Sequence, residues 1–155
     1  MTRKLWLGRF AAVAVFGMMA TWYASGAEDP FLNGAWRHVG SNVTTYFNNG
    51  NWGPPIGHTG DDYVRGTYTA NNGIGTFRVT YIHSNMLRST FGISLAPGWY
   101  SRSQLIAALP SIPPGFPIDD LFAVMPLRYT ITGNNLTLTL SGVLARFFSG
   151  EWRRM

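Results

Sequence analysis

The sequence predicts an all-β domain: seven or eight antiparallel strands with one short helix, closing into a barrel or stacking as a β-sandwich. Three observations lead there. Short runs of β-branched and aromatic residues alternate with polar ones along the 155-residue chain, which is the period-two pattern of strands with one buried face. Clusters of Asn and Gly stand between these runs, where tight hairpins need positive φ. Finally, 46% of residues are hydrophobic and only 12% charged, about half the usual charged share, so a core can form and disorder is excluded.

Residues 1–27 read as a secretory signal peptide. Arg3, Lys4 and Arg9 form a basic start, Phe10 to Ala20 an apolar stretch, and Ala24, Ser25, Gly26 and Ala27 a small-residue cleavage region that would leave Glu28 first. The apolar run is shorter than the ~20 residues of a spanning helix. The expectation is a periplasmic or secreted protein with no stable membrane span after cleavage. Residues 28–155 then form one domain, in which nine Arg and no Lys face seven Asp and Glu, so the net charge of +5 falls to 9 − 7 = +2. These cations are scattered singly, which argues against a nucleic-acid partner, because counterion release needs them clustered. With no Cys, disulfides and thiolate metal sites are excluded.

The elements follow in order. Gly34 to Val39 and Val43 to Phe47 read as the first two strands, followed by the Asn48, Asn49, Gly50, Asn51 turn. Tyr63 to Ala70 and Gly75 to His83 are joined by Asn71, Asn72 and Gly73, with Phe77, Val79 and Tyr81 on one face and Arg78 and Thr80 on the other. Six of the nine prolines fall between Ala96 and Pro126, which precludes regular strand pairing through most of that stretch. One helix fits inside it, from about Ser103 to Leu109, capped by Ser101 or Ser103 and ended by Pro110. Near the C-terminus Leu127, Tyr129 and Ile131 alternate with Arg128, Thr130 and Thr132. After Gly133, Asn134 and Asn135, Leu136, Leu138 and Leu140 alternate with Thr137 and Thr139. Ala145 to Phe148 and the segment around Trp152 are expected to supply the last pairing.

The Gly34-Ala35-Trp36 sequence on the first strand resembles the opening of lipocalin-type barrels. Arg65 to Ala70 and Tyr129 to Leu138 are similar to the strand-turn-strand phrases of bacterial lipocalin-like domains. The resemblance covers Asn33 to about Arg154. It implies an up-and-down barrel in which Trp36 packs across the closed end under an Arg from the end of the chain, Arg153 being the first candidate and Arg154 the next.

Little in the sequence carries chemistry. His58 with Asp61 and Asp62 is a grouping that could touch a divalent metal, but it lies on a Gly- and Pro-rich loop, where a solvated turn is the plainer reading. Asp119 and Asp120 suit the start of a helical turn better than paired acid–base work. There is no nucleophile motif or phosphate-cradling loop. No enzyme, metal site or cofactor is therefore expected. Trp36, His38, Phe77, Val79, Tyr81, Tyr129 and Ile131 are the expected ligand-facing residues inside the barrel, beneath a lid made by residues 96–126. The expected function is a non-enzymatic module holding a small apolar or amphipathic ligand in the barrel. The alternative is a solid-packed envelope or protein-interaction domain acting through its surface. An eight-stranded barrel can be filled or hold one small ligand, and sequence does not distinguish these outcomes.

Overall fold

The computed structural model describes residues 28–54 and 64–155. Nine strands form one antiparallel sheet: β1 (Gly34–His38), β2 (Thr44–Asn48), β3 (Asn51–Trp52), β4 (Val64–Asn71), β5 (Ile74–His83), β6 (Trp99–Tyr100), β7 (Met125–Thr132), β8 (Asn135–Leu140) and β9 (Gly150–Arg154). The helices are α1 (Ser84–Phe91), α2 (Arg102–Ala108), α3 (Ile118–Leu121) and α4 (Ala145–Phe148), preceded by a 3₁₀ turn at Pro30–Leu32. Each ring strand pairs with its neighbours in chain order, and β4–β5 and β1–β9 complete the circle. The result is a closed eight-stranded barrel, with β6 added beside β5 at His83 and Ile82, so the sandwich alternative falls. The expected leader and the grouping of His58, Asp61 and Asp62 lie outside the described residues.

Alternation and turn chemistry account for the ring. Asn49 and Gly50, and Asn72 and Gly73, all take positive φ, which fits the right-handed twist of the flanking strands. In the β7–β8 hairpin, Leu127 faces Leu140 and Tyr129 faces Leu138 on the buried side, while Thr130 faces Thr137 in solvent. The barrel interior is aromatic. Trp52 stacks on Phe47 at 5.4 Å and meets Phe77 at 3.6 Å and Phe148 at 5.0 Å between ring centroids. Its indole N–H donates to the Thr45 hydroxyl. Gly66, opposite Trp52 on β4, makes room for this cluster, since a Cβ there would stand 2.8 Å from the Phe77 ring and 2.1 Å from the Arg78 carbonyl oxygen.

Four expectations are corrected. First, Tyr81 is 43% exposed. Gly66 pairs with Val79 but Arg65 with Tyr81, so Thr80 is an extra residue on β5, and this bulge turns Ile82 inward in place of Tyr81. Second, the helix expected between Ala96 and Pro126 is not alone. α1 follows β5 directly, and its buried Met86 and Leu87 are too few to show a helical period in sequence. Third, Ala145–Phe148 is a helical turn rather than a strand, and β9 alone makes the last pairing. Fourth, the proline-rich stretch is less a lid than part of the core, because Leu105, Ile118 and Leu121 are buried while Ile112 points into solvent. Its α2 begins at the Ser101 cap, where Ser101 and Gln104 exchange a reciprocal capping box.

Candidate functional site

The two ends of the barrel differ. One is sealed by the segment before β1. Trp36, fully buried, donates its indole N–H to the Leu32 carbonyl at 2.7 Å, and the guanidinium carbon of Arg154 lies 4.2 Å from the ring centroid. Arg154 also donates to the carbonyls of Asn33 at 2.7 Å and Phe31 at 2.6 Å. The expected Trp–Arg contact is therefore present, but Arg154 makes it. Arg153 is exposed on the outer face, opposite Arg37. This follows from strand alternation, since Trp152 is buried and the next inward position is Arg154. Below this plug the Tyr129 hydroxyl donates to the Asp29 carboxylate at 2.8 Å. Burial, and then this bond to a carboxylate, push the Tyr129 phenol up to about 12.

The other end carries the loop between β1 and β2, α1, and α4. Between them lies a pocket of about 380 Å³, open to solvent, with Val43, Met86, Phe147 and Phe148 as its apolar wall. Ser41, Ser89 and Thr90 stand among its polar residues, and among the described residues Arg146 is the one charged side chain of its lining. A broader groove of about 570 Å³ on the outer face shares His38 and is lined by Arg37, Arg153 and Arg154.

Both described histidines hold backbone. His38 Nδ1 accepts from the Gly40 and Ser41 amides at 3.2 and 3.1 Å, so its Nε2–H is the donor to the Ser149 carbonyl at 3.1 Å. Its ring stands edge-on to Trp152 at 4.7 Å. The imidazole thus ties one wall of the pocket to the start of β9. His83 Nδ1 accepts from the Asn85 amide at 3.1 Å and caps α1, which carries another wall.

Of the expected ligand-facing residues, Trp36, Phe77, Val79 and Tyr129 are buried in the packed interior and Ile131 is half-buried. Only His38 borders the pocket at the mouth, while Tyr81 is on the outside. Met86, Phe147 and Arg146 also line the pocket, and they stand outside the expected set because α1 and α4 are too short to show a helical period in the sequence. A run Arg146-Phe147-Phe148 after the last hairpin was the signal available. Among the described residues no helix is long and apolar enough to cross a membrane and no three metal-binding side chains converge. No family model, curated protein or solved structure matches the chain.

Proposed function

We propose that this chain is an exported, non-enzymatic binding module of lipocalin-like design, which takes a small amphipathic molecule at the mouth of the barrel rather than along its axis. The mouth pocket carries this reading. At about 380 Å³ it falls at the small end of ligand sites, and it joins an apolar wall to a few polar groups, the usual make-up of such sites. The barrel axis, by contrast, is occupied by rings in contact. The reading as a binder rather than a catalyst is supported by His38 and His83, whose Nδ1 atoms are already engaged by backbone amides. Export is supported by the pattern of residues 1–27, and N-terminal sequencing of native material should begin at Glu28.

The test is thermal shift and calorimetry with eight-carbon alkyl probes on the wild type and on Ser89→Trp, which fills the pocket from an exposed position of α1. A ligand at 100 times its dissociation constant stabilises by about 2.7 kcal/mol, and the substitution should abolish that gain. Probes that bind the Ser89→Trp variant unchanged, or bind neither protein, would replace this reading by the second one. In that case the barrel acts through its outer surface, as the ring packing around Trp52 favours.

A further inference from the structure

We propose that the mouth pocket selects a free amphiphile bearing a single anionic group on a short apolar body, with Arg146 as the residue that reads the charge. This rests on the mouth pocket being the binding site. The apolar wall of Val43, Met86, Phe147 and Phe148 supplies the body's contacts. A volume of about 380 Å³ has room for roughly a dozen water-sized groups at ~30 Å³ each, so an eight- to ten-carbon chain with its head group fills it.

The charge preference comes from what borders that wall. Among the described residues no Asp or Glu lines the pocket or the adjoining groove, whereas Arg146 lines the first and Arg37 and Arg153 the second. Arg146 is exposed, and its guanidinium carbon sits 4.6 Å from the Phe147 ring centroid. The ring holds the planar fork beside the apolar wall and leaves its N–H groups for an incoming acceptor, a geometry suited to a bidentate carboxylate or sulfonate. Arg37 and Arg153 face each other directly across β1 and β9. Like charges so placed repel, and an anion nearby relieves that repulsion. An alkylammonium meets the same field with the wrong sign. A neutral alcohol gains the apolar contacts alone.

The experiment is calorimetric titration of the full chain with octanoate, octanesulfonate, octanol and octylammonium as monomers below their micellar concentrations. The wild type, Arg146→Gln and Ser89→Trp are compared. The expected order is octanoate and octanesulfonate about tenfold tighter than octanol, the ratio one charge-assisted hydrogen bond provides, and octylammonium weakest. Arg146→Gln should bring octanoate down to octanol while leaving octanol unchanged, and raising salt should weaken only the anions. If all four probes bind alike, or Arg146→Gln weakens octanol equally, the charge selection is overturned while the mouth pocket stands as the site. If none of the four binds, both readings fall.

Discussion

Replacing Arg154 by Ala should destabilise the barrel by about 2 kcal/mol, whereas the same change at Arg153 should cost less than about 0.5 kcal/mol. The two side chains are chain neighbours with equal charge, and only the geometry separates them. Arg154 donates to the Asn33 and Phe31 carbonyls and lies over Trp36. Charge-assisted hydrogen bonds contribute about 1.5–3 kcal/mol each. The lower figure applies here because Phe31 is in solvent, and a guanidinium on an indole adds about 1 kcal/mol. Against these stands nearly 2 kcal/mol of side-chain entropy for ordering an arginine. Arg153 stands in water opposite Arg37, so its loss removes a repulsion along with the side chain's contacts. Urea unfolding followed by circular dichroism gives both values on the same scale, and the melting temperature should fall by about 6–10 °C for Arg154→Ala alone. Arg154→Lys keeps the charge and loses the fork, so it should restore less than half. Equal losses at the two positions, or a loss below about 1 kcal/mol at Arg154, would refute the idea that this arginine fastens the closed end.

Trp36→Ala, which empties a fully buried site, should cost about 3–5 kcal/mol by the same assay. Gly75→Ala would place a Cβ 1.8 Å from the Thr69 carbonyl oxygen. It should cost about 2–3 kcal/mol, or prevent folding, although the change is by a single methyl. Tyr129 gives a pH prediction. Its folded value of about 12 lies above its ordinary value of 10.0, so its contribution to stability is complete below pH 10 and disappears as the pH rises to about 12. Wild type should lose stability through that window faster than Tyr129→Phe, as measured by urea midpoints at a series of pH values.

The ring was legible because hairpins are local. Leu127 to Leu140 shows its inward leucines and outward threonines directly, and Asn72-Gly73 announces its turn. The closed-end tryptophan was legible for the same reason, since it stands at a fixed place on the first strand. Errors began where one residue shifts the phase. A bulge at Thr80 costs nothing visible in composition, yet it moves Tyr81 from the interior to the exterior, and strict alternation carries the mistake to the end of the strand. The mouth pocket was illegible because its walls are short helices. α1 and α4 bury only Ser84, Met86, Leu87 and Phe148 between them, and tertiary packing rather than periodicity holds such pieces in place. Arg153 and Arg154 could be separated only once the register of β9 against β1 was known.

That seam, where Trp36 pairs with Arg154 across 118 positions of chain, also orders events in time. During synthesis β1 appears first and its partner last, so until residues 150–154 have emerged the other strands can form only an open, curled sheet. Its two outer strands then present bare hydrogen-bonding edges, and the tryptophan lacks its arginine. Closure of such a distant contact is slow relative to hairpin formation and yields its stabilisation only at the end. Any shortened chain that stops before Gly150 therefore retains both edges permanently. It is expected to associate with its own copies rather than persist as a slightly weaker barrel.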